Sequence, residues 1–285
     1  MSAAPATGSV AVQRDSSSHL ATHPAARQAW EAWRASRDAE LSAEHGWLSL
    51  TGFSWLPTAP AALPGLPGRW WADGAGAHVE VARTGSAAAG VDDPTLTALD
   101  APPEGADVAE AGSVSWLRHG ERVVELLRRG GRLAVRTRDP GAHTRRRFTG
   151  VPAWPHDPAW VRRGRFTPAD VETDVTVATA RPDLLQQARI VGTVEVELGG
   201  AWHALAATRS GDGLGLLFHD LTNDADSAAW RTVRTSAPAP DGTLEVDLNR
   251  TVNLPFAFTE FGTCPAPVDG NRLPVAVTAG EKRPA

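Results

Sequence analysis

The sequence predicts a mainly β protein, in which an N-terminal helix precedes two β halves, each sandwich- or barrel-like. Two pairs of strand-like segments flank the glycine pairs Gly130-Gly131 and Gly199-Gly200, and a two-residue glycine turn between such segments is typical of a β-hairpin. Beyond the first helix, no helical segments alternate with the strands, which argues against a doubly wound nucleotide-binding fold. Short strands at regular spacing favour sandwiches and barrels.

The N-terminal region predicts a tail and then a helix. Residues 1–22 are rich in Ser, Ala and Gly without periodicity, which is typical of a disordered tail. Residues 23–46 predict the helix, because Pro24 suits a first helical turn and Gly46 suits the C-terminal stop. The large apolar residues on one stripe of this helix are Trp30, Trp33 and Leu41. We expect this stripe to pack the helix onto the body of the protein.

Alternating segments predict the strands of the two β halves, residues 47–150 (sandwich-like) and 151–285 (barrel-like). The segments are residues 47–56, 69–72, 77–82, 122–129, 132–138, 193–198, 201–208, 214–221, 243–248 and 273–277. Pro- and Gly-rich residues 56–68 and 102–112 predict loops, and a Trp/Pro-rich loop after residue 150 joins the halves. By fold-level analogy, the first half is expected to resemble the forkhead-associated domain, which binds phosphothreonine.

Composition excludes several classes of partner. The formal net charge of −5 gives no general reason to expect nucleic acid, whose binding needs clustered positive charge. No stretch approaches the roughly 18 apolar residues of a membrane helix, and no secretory signal precedes the helix. The single cysteine, Cys264, excludes an intramolecular disulfide and a multi-cysteine zinc site. We therefore expect a cytoplasmic protein with no metal, no cofactor, and no nucleic-acid or membrane partner.

The C-terminal segment, Val246–Lys282, concentrates the polar residues that could form a site. Amides fix backbone turns, prolines fix φ, and arginines bind carboxylate or phosphate through two parallel hydrogen bonds. Together with an earlier arginine-rich segment, it supplies the candidate ligand-binding residues Arg136, Arg138, Arg146, Asn249, Arg250, Asn271, Arg272 and Lys282. The same polar frame could equally close a β-barrel, and the spacing alone does not separate the two interpretations.

The C-terminal segment also carries a family resemblance. Its shared motifs are Asn249-Arg250, Asn253, Pro255, Ala257-Phe258-Thr259, Thr263-Cys264-Pro265, Pro267, Asn271-Arg272-Leu273-Pro274 and Ala279-Gly280-Glu281-Lys282. In these the chain resembles the bacterial family catalogued as domain of unknown function 1684, and residues 33–56, 135–160 and 218–222 are also similar to that family. Phe256 replaces a cysteine of the family pattern and Ala228 replaces its tyrosine, so the chain looks like a divergent member. The resemblance implies an architecture and candidate residues, but no reaction.

Three functions remain as hypotheses. The leading one is a protein that binds a small anionic or polar ligand at the candidate residues. The second is a hydrolase in which Asp220 or Glu281 acts as a general base and Lys282 stabilises developing negative charge. The third is a protein-interaction module that uses the N-terminal helix or an exposed β edge. The sequence does not indicate the oligomeric state.

Overall fold

The computed structural model describes residues 22–81, 96–102 and 104–284. It has an N-terminal helix, two β halves and three antiparallel sheets, which confirms the predicted mainly β fold class. The tail predicted for residues 1–22 lies outside the described residues, except for Thr22, where the first helix begins. Across the described ranges, the helices are all too short or too polar to cross a membrane.

Helix α1 runs from Thr22 to Leu41, so it ends earlier than the predicted residue 46. The chain then turns, and the N–H of Gly46 donates to the carbonyl of Ala43 at 2.9 Å. A Cβ at Gly46 would lie 2.6 Å from the carbonyl oxygen of Glu40, so this close approach requires glycine. Leu41 is fully buried, so the end of α1 anchors the helix to the body.

The first half is a sandwich of two sheets. The five-stranded sheet has the order β1-β8-β7-β6-β4, and the three-stranded sheet has the order β2-β3-β5. The strands are β1 Leu50–Trp55, β2 Arg69–Asp73, β3 Gly76–Glu80, β4 Leu96–Ala98, β5 Glu104–Ala106, β6 Ser113–His119, β7 Arg122–Arg129 and β8 Arg132–Arg138. Trp70 and Trp116, one from each sheet, meet edge to face at 5.4 Å in a shared apolar core. Burial of these large rings holds the two sheets together.

The second half is one curled seven-stranded sheet in the order β14-β9-β10-β11-β12-β13-β15. Its strands are β9 Val161–Ala178, β10 Leu185–Leu198, β11 Ala201–Ser210, β12 Gly213–Phe218, β13 Arg231–Arg234, β14 Thr243–Asp247 and β15 Val252–Asn253. The edge strands β14 and β15 follow each other along the chain, joined by a 3-10 turn at Leu248–Arg250. No ladder among the described strands joins the two edges, so the barrel-like half is not a closed barrel.

The C-terminal segment fills the inside of this curled sheet. Leu273, Val277 and Ala279 are buried in the same core as the inward residues of β10 to β14. The strand predicted for residues 273–277 is wrong, because these residues form no ladder. Pro274 lacks the N–H that a ladder needs, yet the apolar residues on either side still reach the core. Much of the segment therefore stabilises the fold from within.

Both glycine hairpins form as predicted. Gly130 and Gly131 join β7 to β8, and Gly199 and Gly200 join β10 to β11. All four have positive φ, between 58° and 81°, which glycine adopts without steric cost. The sequence did not predict the short helix α2 at His143–Arg147, β5 within the predicted 102–112 loop, or the strands β4, β6, β9, β13 and β15. The boundary near residue 150 and the likeness to a forkhead-associated domain stay predictions.

Candidate functional site

The two predicted site arginines of β8 lie in a buried ion cluster. Nη2 of Arg136 lies 2.7 Å from one carboxylate oxygen of Glu125, and Nη2 of Arg138 lies 2.7 Å from the other. The Trp47 ring covers both guanidinium groups, at 5.0 and 5.3 Å from its centroid. Burial would raise the pKa of the Glu125 carboxyl, but the two arginines outweigh burial and hold that pKa below its usual range. This cluster supports the first half internally.

The two predicted site asparagines fix the backbone of neighbouring segments. Asn249 accepts from the N–H of Asp157 at 2.9 Å and donates to its carbonyl at 3.0 Å. Asn271 does the same with Ala206 on β11, at 2.8 and 2.9 Å, and also donates to Leu217 on β12. These amides are buried and use their hydrogen-bonding capacity within the protein, so they are structural.

The remaining predicted residues are dispersed. Arg146 is exposed on α2, and Arg272 is exposed in the C-terminal segment. The Lys282 ammonium lies 5.4 Å from the centroid of the Trp154 ring. The eight candidate residues therefore do not converge on one surface: Arg250 lines the helix–sheet cavity and Asn271 lines a smaller cavity beside it, both described below.

The carboxylates proposed as general bases are buried in ion pairs. Oδ2 of Asp220 lies 2.7 Å from Nη2 of Arg231, and neither side chain is exposed. Oε1 of Glu281 lies 3.1 Å from Nε of Arg37, and the other oxygen accepts from the N–H of Asn253. Burial raises the pKa of the Glu281 carboxyl, and Arg37 offsets only part of that rise. Neither carboxylate lines the helix–sheet cavity described below, so the geometry gives no support to the hydrolase hypothesis.

Cys264 is buried, and burial raises the pKa of its thiol to about 11. The thiolate is the nucleophilic form, so a thiol of this kind is almost wholly unreactive at neutral pH. We expect Cys264 of the folded protein to resist iodoacetamide at pH 7.5. In roughly 6 M guanidinium, which unfolds most proteins, the same thiol should be labelled at once. Mass spectrometry reads both states, and rapid labelling of the folded protein at pH 7.5 would contradict the expectation.

A large cavity lies between α1 and the outer face of the curled sheet. Its volume is about 730 Å³, within the roughly 300–1,000 Å³ that is usual for small-molecule sites. We call it the helix–sheet cavity. Trp33 and Arg37 line it from α1, while Thr232 and Arg234 line it from β13. Its wall thus combines residues that are about two hundred positions apart in the sequence.

Two arginines present unused donors to this cavity. Arg250 lies beneath the Trp33 ring, 5.3 Å from its centroid, and its Nε lies 3.1 Å from Oδ2 of Asp247. These contacts orient the guanidinium and leave both terminal nitrogens without a partner among the described residues. Arg234 makes no side-chain hydrogen bond to a described residue and lies against Gly211, where a Cβ would be 1.7 Å from Nη2. Guanidinium groups with spare donors can bind carboxylate or phosphate.

The β13–β15 register explains why these two arginines are neighbours. Thr232 pairs with Val252 in an antiparallel ladder. Arg234 lies two residues beyond Thr232, and Arg250, in the 3-10 turn, lies two residues before Val252, so both are at the same end of the pair and both line the cavity. Asp247 and Glu245 of β14 also line the cavity, which therefore carries both charges.

Sequence reasoning identified Arg250 and missed most of its companions. Arg234 lies in the short strand β13, and four alternating residues are too few to predict a strand. Trp33 was predicted only as a packing residue, and Arg37 was not identified as a site residue. No spacing rule connects a helix near residue 35 with a strand near residue 233.

Comparison with known protein families agrees with the resemblance found in the C-terminal segment. No curated protein matches the chain. The chain is similar to the solution NMR structure of the uncharacterized protein from gene locus rrnAC0354 of Haloarcula marismortui, with 25% identity over 48% of this chain and 78% of that one, and a TM-score of 0.41. Residues 146–282 of this chain match the family described as "Protein of unknown function (DUF1684)".

Proposed function

We propose that the protein binds a small anionic or polar molecule in the helix–sheet cavity. The observation that carries the proposal is the pair Arg234 and Arg250, whose unused donors face a cavity of about 730 Å³. Hydrogen bonds to charged groups are about twice as strong as neutral ones, and a partly enclosed site screens them less than open water does. Glu245 and Asp247 could accept from hydroxyl or amino groups elsewhere on the same ligand.

The Trp33 ring supports this site in two ways. It contacts the Arg250 guanidinium from α1, and it supplies an apolar wall beside the charged groups. Ligand sites in proteins commonly combine such aromatic walls with a few placed polar groups. Because α1 provides one wall and β13 the other, binding would depend on the packing of the helix against the sheet.

Replacing the two arginines tests the proposal. We expect Arg234→Gln and Arg250→Gln each to weaken binding by roughly tenfold or more, because each removes a charge-assisted hydrogen bond. Isothermal titration with phosphate and with short carboxylates measures the affinity. Arg209→Gln is the matched control, since Arg209 is an exposed arginine of β11 that does not line the cavity. Anion binding that is equal in all four proteins would refute the proposal.

A further inference from the structure

A second cavity adjoins the helix–sheet cavity on the same outer face of the sheet. It has a volume of about 250 Å³ and lies between β10, β12 and the loop at residues 265–271. We call it the apolar cavity, because Ile190, Leu217 and Val268 line it, although Gln187 and Arg189 also lie at its wall. The arginines of the neighbouring cavity do not line it.

Gly215 and Thr232 line both cavities and mark the junction between them. Gly215 is the β12 residue that pairs with Arg234 of β13 and also with Thr208 of β11. It contributes no side chain to the outer face, and a Cβ there would lie 3.0 Å from Oγ1 of Thr208. Gly215 thus adds no side chain where the two cavities meet, and the Thr208 hydroxyl lies close beside it.

We propose that the two cavities form one groove whose ligand is an amphiphilic carboxylate, with an anionic head and an unbranched apolar chain. The head lies at Arg234 and Arg250, the chain passes over Gly215, and its end lies against Ile190 and Leu217. This inference rests on the proposed function and specifies its ligand class. The arginines are complementary to the anionic head, and the apolar cavity is complementary to the chain. A small inorganic anion would leave the apolar cavity unused.

A series of straight-chain carboxylates tests the inference by isothermal titration, from acetate through butyrate and octanoate to dodecanoate. We expect the affinity to rise by about fourfold for each methylene that enters the apolar cavity, which is the ratio that burial of one methylene provides. Acetate then measures the head site alone. Affinities that do not change with chain length would overturn the inference while leaving anion binding at the arginines intact.

Two variants that fill the apolar cavity locate the chain. Ala188→Trp and Ala266→Phe each place a large ring in that cavity without touching Arg234 or Arg250. We expect either variant to bind octanoate no more tightly than wild type binds butyrate, and to bind acetate as wild type does. Val171→Trp is the control, because Val171 is 77% exposed on β9 and lines neither cavity. An unchanged preference for octanoate in both filled variants would overturn the inference.

A variant that lacks residues 1–21 distinguishes an added amphiphile from this segment of the chain as the occupant of the groove. If chain-length dependence emerges only after residues 1–21 are deleted, the occupant of the native groove is that segment, and the inference fails. If the full chain already shows the dependence, the amphiphile is the occupant. If Arg250→Gln loses acetate binding and the wild-type affinity does not change with chain length, the proposed function stands. The inference of an amphiphilic ligand then fails.

Discussion

Arg231→Leu is expected to destabilise the protein by about 3–5 kcal/mol, because it leaves the Asp220 carboxylate buried without its counter-charge. Arg231 also donates to the backbone carbonyls of Val277, Ala279 and Glu281, at 2.8, 2.8 and 3.2 Å. These bonds attach the C-terminal segment to β13. Losing them leaves acceptors unsatisfied in the core, which places the expected cost toward the upper part of that range.

Urea unfolding followed by tryptophan fluorescence measures this cost. Arg209→Leu is the matched control, since it is the same change at an exposed arginine whose partner, Glu172, is also at the surface. Exposed ion pairs contribute little, so the control should unfold close to the wild-type midpoint. If Arg231→Leu also unfolds close to wild type, the buried pair does not hold the C-terminal segment in place, and our account of that segment is wrong.

Glu125→Gln is the second large effect, also about 3–5 kcal/mol, because it leaves two buried arginines without a carboxylate. The pKa of the Glu125 carboxyl in the folded protein is below its usual range. A group of this kind stabilises the folded state fully above its unfolded pKa, about 4.3, and that stabilisation is lost as the pH falls through the folded pKa. The difference between wild type and Glu125→Gln should therefore be largest at neutral pH and should shrink below about pH 4.

Urea unfolding at pH 7 and at pH 3.5 tests both parts. Glu172→Gln is the control, because Glu172 also pairs with two arginines, Arg189 and Arg209, but at the surface. Its replacement should leave the free energy of unfolding close to that of wild type at both pH values. If Glu125→Gln lowers the free energy of unfolding as much at pH 3.5 as at pH 7, the lost contribution is packing and not charge.

Polar residues of the C-terminal segment are buried where the sequence analysis expected a site. Asn249 and Asn271 were predicted to bind a ligand, and Glu281 was predicted as a general base. In the structure they are buried, and each satisfies groups of the protein itself. A buried polar side chain that stabilises a loop and one that binds a ligand look alike in a sequence, because both use the same donors and acceptors.

Local features were predicted well, since their cause lies within a few residues. The glycine pairs at 130–131 and 199–200 set the hairpin turns through their positive φ, whatever the rest of the chain does. The first helix follows from its own apolar stripe and its turn at Gly46. By contrast, residues 273–277 have the composition of a strand, but their backbone hydrogen bonds to His219 and Leu221 do not extend into a ladder, and they pack as an irregular segment.

By itself, the sequence determined the mainly β class, the N-terminal helix, both glycine hairpins and the family that residues 146–282 resemble. Only the tertiary structure decided which polar residues face inward and which line a cavity. The helix–sheet cavity requires α1, β13 and the turn before β15 to meet, and these contacts join residues far apart in the chain. Such contacts depend on how the curled sheet packs against the helix, and no local spacing of residue types encodes that packing.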